Sequence, residues 1–209
     1  MKGLLKKEWY MTVKYCKAFL VLCVLFIGMS LLMPGNLFFV FYPSLFVSML
    51  PVTLLAYDER SKWNRYCGTL PYSKAQLVSA KYLIGLFALL AVFVLTAIAQ
   101  ATMVDWSSPD SIKACAMILE LMLSLALLAT ALVLPFVFKL GVEKGRIAYL
   151  IMIGLVCGGS VLLSALFDEA SLSRLSWGGT PMMVFAVSIL IYALSWYLSI
   201  RFYEKRELS

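Results

Sequence analysis

Histidine is absent from all 209 residues. That removes the commonest general base and the commonest metal ligand. Serine hydrolase triads, zinc protease motifs and His-carboxylate relays are therefore excluded in their usual forms. A phosphate-binding GxxxxGK[ST] loop is missing as well; the nearest run, Gly141-Val142-Glu143-Lys144-Gly145, has the wrong spacing. The chain is not expected to be an enzyme or to hydrolyse nucleotide. Its five cysteines, Cys16, Cys23, Cys67, Cys115 and Cys157, are scattered, odd in number and never form a CxxC pair. Neither a disulfide framework nor a metal site is indicated, and they read as small packing residues. Charge is scarce too: 14% of residues, against roughly 25% in ordinary globular domains.

What remains is apolar. Hydrophobic residues make up 63% of the chain, and a bilayer span needs about 20 of them in a row. Six stretches approach that criterion: residues 18–33, 37–56, 82–103, 114–138, 147–167 and 180–203. The expected fold is all-α, a single polytopic domain over residues 18–209 with about six transmembrane helices. Residues 1–17 predict an interfacial helix instead, with Leu5, Trp9 and Val13 at i, i+4, i+8 among five lysines. No cleavable leader is expected at the start, because no small-residue cleavage pattern precedes Pro34-Gly35-Asn36. That tripeptide suits a tight turn between the first two spans.

The net charge is +7, and its distribution argues for a membrane rather than nucleic acid. With both termini placed in the cytoplasm, inner segments hold 16 of the 18 Lys and Arg residues; only Lys113 and Arg174 fall outside. Short inner loops accumulate Lys and Arg, so this asymmetry predicts a multi-pass protein with both ends cytoplasmic. The tryptophans other than Trp63 need no further role than amphipathic anchors at headgroup depth.

One polar, cationic island interrupts the apolar pattern, at residues 57–83. Asp58 and Lys62 stand at i, i+4 with the acid first, the favourable helical order. Asp58 and Glu59 at the start and Arg65 near the end would suit the dipole of a short helix over residues 57–66. Glu59, Trp63 and Tyr66 would share a face. Gly68 can end that helix, and Ser73-Lys74-Ala75-Gln76 has capping-box spacing for the next one. The chain is thus expected to lay a short helix across the cytoplasmic ends of its second and third spans.

This island carries a family resemblance. Asp58-Glu59 with Trp63, then Thr69-Leu70-Pro71-Tyr72-Ser73-Lys74 and Ala80-Lys81-Tyr82-Leu83, resemble the small permease subunits of type-2 ABC exporters. The short permeases that export amphipathic cytolytic peptides, such as the phenol-soluble modulin exporter, look closest. The resemblance implies a plasma-membrane permease that works as a pair with two copies of a separate ATPase, which binds ATP and Mg. It also implies that residues 57–81 hold a coupling helix, in which Asp58, Glu59, Arg60, Lys62, Trp63, Arg65 and Tyr66 meet the ATPase.

Two features lie inside the spans. Glu120 sits about six residues from the outer end of the fourth span, where an ionised carboxylate costs roughly 2.5 kcal/mol or more. It lines a substrate path with Gln100, snorkels outward, or pairs with Lys113, two turns away on the same face. Gly154 and Gly158 form a GxxxG in the fifth span, a packing face for another helix. A largely apolar path with one carboxylate suits a cationic amphipathic peptide, and the 11 methionines would tolerate varied sequences. The alternative, a stand-alone channel or ion-coupled secondary transporter, would normally show several intramembrane ionisable residues.

Overall fold

The computed structural model describes residues 2–33, 36–67, 72–142, 147 and 180–205. Among them the regular structure is helical, in eight helices. These are α1 (Lys2–Tyr15), α2 (Lys17–Leu32), α3 (Leu37–Ser48), α4 (Leu50–Arg60), α5 (Trp63–Cys67), α6 (Lys74–Ala101), α7 (Pro109–Leu140) and α8 (Thr180–Lys205). Four stretches are long and apolar enough to cross a membrane: Leu37–Arg60, Lys74–Ala101, Pro109–Leu140 and Pro181–Lys205. The pair α1 and α2, bent by 69°, makes up to five. The fifth expected span, residues 147–167, and its Gly154 and Gly158 lie outside the described residues.

Local chemistry sets the boundaries. Asn36 opens α3 by accepting the Phe38 N–H at 3.1 Å. The capping box at α6 forms as its spacing predicts: Ser73 Oγ accepts the Gln76 N–H at 3.2 Å, and Gln76 Oε1 accepts the Ser73 N–H at 3.3 Å. With this start α6 begins eight residues before the apolar stretch at residue 82, so Lys81 lies inside the helix. Pro109 begins α7, and Gly141 ends it at φ 86. The second span breaks at Met49, between α3 and α4, where Pro51 lacks the N–H that would continue the ladder.

Packing follows from small residues and prolines. A Cβ on Gly85 of α6 would lie 2.6 Å from Cγ of Pro51, so only glycine lets α4 and α6 approach this closely. One apolar cluster joins α4, α6, α7 and α8 through residues such as Val52, Tyr82, Leu134 and Tyr192. A second joins α2, α3, α6 and α7 through Cys23, Val47, Ile84 and Ala126. Pro135 in α7 deprives the Ala131 carbonyl of its helical donor, and Ser195 Oγ of α8 supplies one at 2.5 Å. Each hydroxyl has one proton, so the chain of bonds runs in one direction. Tyr82 donates to Ser195 at 2.8 Å, and Ser199 donates to Tyr82 at 2.7 Å. The outward faces of α2, α6 and α8 expose Val24, Leu25, Phe87, Ile98, Leu190 and Leu194. Such faces suit hydrocarbon, with helical backbone satisfied internally.

Candidate functional site

The charged residues gather where α4 and α7 end and α6 begins, here called the basal end. The first builder of this site is α1. Its buried residues are Leu4, Glu8 and Thr12, the stripe next to the apolar face of Leu5, Trp9 and Val13 expected of an interfacial helix. Trp9 is 58% exposed and Val13 lies outward too. The reason is electrostatic: in a membrane protein apolar side chains can face lipid, whereas a carboxylate needs a protein partner. Glu8 turns inward because Lys81 is there.

Four side chains close a ring. Lys7 Nζ lies 3.0 Å from Glu8 Oε1 and 2.5 Å from Asp58 Oδ1. Lys81 Nζ lies 2.6 Å from Glu8 Oε2 and 2.5 Å from Asp58 Oδ2. Every carboxylate oxygen holds one ammonium, and the ring has no net charge. Glu8 is 1% exposed, Asp58 and Lys81 are nearly as buried, and Lys7 keeps its edge open to solvent. Three elements, α1, α4 and α6, are thereby fastened at one point. A cavity of about 20 Å³ beside the ring is lined by Glu8, Asp58, Glu59, Trp63, Cys67 and Lys81, among others; this is room for about one water. Burial pushes the Cys67 thiol up, with Lys7 partly opposing. The thiol therefore packs as a small apolar group.

The ring corrects the expected local structure of the island. Asp58 and Glu59 do not start a helix; they occupy the last turn of α4, where the helix dipole disfavours acids. Asp58 is held there by Lys7 and Lys81, and Glu59 Oε2 accepts the Val142 N–H at 3.1 Å just past α7. The expected Asp58–Lys62 pair is not made, because Lys62 leaves the helix at φ 55 and both Asp58 oxygens are taken. Residues 57–66 are thus two pieces, the end of α4 and the five-residue α5, joined by an elbow at Ser61 and Lys62.

Beyond the elbow the chain splits into an inner and an outer side. The Trp63 ring is half-buried beneath Lys7 Nζ, 4.5 Å from its centroid. Tyr66 is 72% exposed, and Arg60, Ser61 and Lys62 are exposed with it. A cleft of about 400 Å³ opens between α1 and the end of α4, lined by Lys7, Met11, Tyr15, Tyr57, Arg60 and Trp63, among others. Tyr15 and Tyr57 stack there at 4.6 Å. The Arg65 side chain lies outside the described residues.

Glu120 and Gln100 are remote from this end. Glu120 is half-buried on α7, and its backbone carbonyl accepts Ser124 Oγ at 2.7 Å. Among the described residues its carboxylate has no ion pair, so the expected alternative of pairing with Lys113 is not realised. Gln100 is half-buried in the last turn of α6. Glu8 escaped sequence reasoning although a signal existed. It is the one acid among five lysines, and Leu4, Glu8, Thr12 and Cys16 recur every four residues.

Apolar helices with lipid-suited outer faces, and a buried charged joint at one end, define a polytopic membrane protein whose spans are mechanically tied. The particular kind follows from its sequence profile: residues 3–204 match the ABC-2 family transporter protein family, and the chain belongs to it. It is the membrane component of an ABC transporter, which partners with an ABC ATPase and is not itself the catalytic part. Neither curated proteins nor solved structures gave a match.

Proposed function

We propose that this chain is the permease subunit of an ATP-driven exporter, with residues 57–67 as its coupling segment. The observation that carries this reading is the buried ring of Lys7, Glu8, Asp58 and Lys81 directly behind the exposed Arg60, Lys62 and Tyr66. A push on the exposed side of the elbow would be passed by Asp58 and Trp63 into α1 and α6 together, rather than bending α4 alone. Two permeases would pair with two ATPases, which bind ATP and Mg. Both termini and the basal end would face the cytoplasm, in keeping with the distribution of Lys and Arg. ATP-driven closure of the ATPases then biases a two-state arrangement of the spans.

Within this reading the exposed Tyr66 is the anchor on the ATPase, flanked by Arg60 and Lys62, and Trp63 is the link to the ring. The substrate would be an amphipathic cationic peptide, with Glu120 and Gln100 along its path. Copurification with the cognate ATPase tests the docking surface. Tyr66→Ala should weaken association by about 2 kcal/mol or more, as truncated aromatic anchors do. Trp63→Ala should leave association largely intact while uncoupling transport. Undiminished association and export in the Tyr66 variant would remove this surface. In reconstituted vesicles, Glu120→Gln should slow cationic peptides more than neutral ones; equal slowing takes Glu120 off the path.

A further inference from the structure

A groove of about 280 Å³ runs between α7 and α8 at their basal halves. Its walls are apolar, from Ala131, Leu132, Pro135 and Phe136 on one side to Ile191, Leu194 and Leu198 on the other. The two helices run parallel here: Ser195 meets Ala131, and Phe202 meets Lys139 further down. Pro135 leaves the Ala131 carbonyl without its helical donor, and Ser195 spends its proton on that carbonyl. The groove floor is therefore left without an unsatisfied donor.

Its length and its charge identify an occupant. Along α7 the groove covers Ala131 to Lys139, about 12 Å at 1.5 Å per residue, and along α8 Ile191 to Phe202, about 16 Å. One leaflet of a bilayer is about 15 Å of hydrocarbon. The open basal mouth carries Lys139, one residue from the end of α7 and so at headgroup depth. Its ammonium rests 5.2 Å above the Phe202 ring, which positions the charge without neutralising it. Among the described residues no carboxylate pairs with Lys139. Arg201, exposed at the same end, is turned to the Tyr197 hydroxyl at 2.8 Å and does not line the groove.

We infer that this groove is a binding site for one anionic phospholipid, an acyl chain lying between α7 and α8 and the phosphate resting on Lys139. A zwitterionic lipid has the same chain but offers the mouth no net charge. The site lies on a different face from the charge ring, and the inference holds whichever leaflet the basal end occupies.

The test uses the full-length protein reconstituted in vesicles of equal parts phosphatidylglycerol and phosphatidylcholine, extracted gently and analysed by native mass spectrometry. One phosphatidylglycerol should be retained over phosphatidylcholine by about five-fold, the preference one lysine near the headgroups supports. Lys139→Gln should reduce that ratio towards one, and Lys139→Glu should invert it. Leu194→Trp, which fills the groove, should lower retention of both lipids, whereas Lys113→Gln, on α7 far from the groove, should change neither. Equal retention of the two lipids by the unaltered protein would overturn the inference without recourse to any variant. So would unchanged preference in Lys139→Glu. Disulfide formation between two copies carrying Leu194→Cys, in a background free of other cysteines, would place a second chain there and overturn it equally.

Discussion

Lys81 and Tyr82 are sequence neighbours on α6, yet they serve two joints built on opposite principles. Lys81 enters a ring of four full charges that binds α6 to α1 and α4. Tyr82 enters a line of neutral hydroxyls that binds α6 to α8, ending on a carbonyl of α7. The neutral joint is local in its consequences: lose one member and the neighbouring hydroxyls re-pair. The charged joint has no such latitude, since removing any one member leaves a buried charge without its counterpart. It stands at the basal end, where Lys7 touches solvent, whereas the hydroxyl line lies deeper. A joint that must hold or release as a unit is suited to transmitting a push; one that yields gradually is suited to holding spans together while they shift.

The largest expected effect follows from this contrast. Lys81→Ala leaves Glu8 and Asp58 facing a single ammonium and should destabilise the protein by about 3–5 kcal/mol. Denaturant unfolding of the purified protein in mild detergent measures it. Joint replacement of Lys81 by Met and Asp58 by Leu leaves a neutral Lys7–Glu8 pair and should cost far less. If the double variant is as unstable as the single one, the ring is not held together by charge balance, and the comparison collapses.

Close packing of α4 on α6 comes next. Gly85→Ala places a methyl group 2.6 Å from the Pro51 ring. Overpacking of this kind costs about 1–3 kcal/mol, partly offset by the better helix propensity of alanine, about 1 kcal/mol. A net loss of about 1 kcal/mol is expected. A gain in stability would mean that α4 moves away freely at Pro51, leaving the Asp58–Lys81 pair to carry displacement from α4 to α6.

The hydroxyl line should be weaker. Ser195→Ala returns the Ala131 carbonyl to its unsatisfied state, a loss of about 1 kcal/mol within a membrane protein. Pro135→Ala restores the N–H that the helix lacks at that point, so Ser195→Ala in that background should cost less. An identical cost in both backgrounds would show that Ser195 does not serve the carbonyl orphaned by Pro135. A cost matching that of Lys81→Ala would abolish the distinction between the two joints.

The two joints also differ in how far sequence alone reveals them. Four of the six expected spans were legible because hydrocarbon asks only for length and apolarity, and the Ser73–Gln76 cap because both partners lie within four residues. The ring was not, because its bonds reach across 51 and 73 positions. Along α1 only the lipid-facing stripe of Leu5, Trp9 and Val13 was legible, and the neighbouring stripe, which carries Glu8, went unread. Asp58 misled for a related reason. Acids favour a helix start on local grounds, and only the two distant lysines make the end of α4 the better place. Tertiary charge pairing overrode local dipole preference there. The hydroxyl line was unread as well, although Pro135 inside an apolar span announces an orphaned carbonyl and asks which side chain answers it.

The smallest expected effect concerns the elbow between the exposed and buried sides of the basal end. Lys62 adopts φ 55, a left-handed conformation that costs most residues roughly 1 kcal/mol and glycine almost nothing. Lys62→Gly relieves that strain but frees the unfolded chain, so stability should rise by only about 0.5 kcal/mol. Transport should fall nonetheless, because a pliant elbow would let α5 move without carrying Asp58. Stability read by denaturant and ATP hydrolysis coupled to export read in vesicles separate the two effects. Higher stability with unchanged coupling would show that rigidity at Lys62 contributes nothing to transmission, which would then rest on the contact of Trp63 with Lys7.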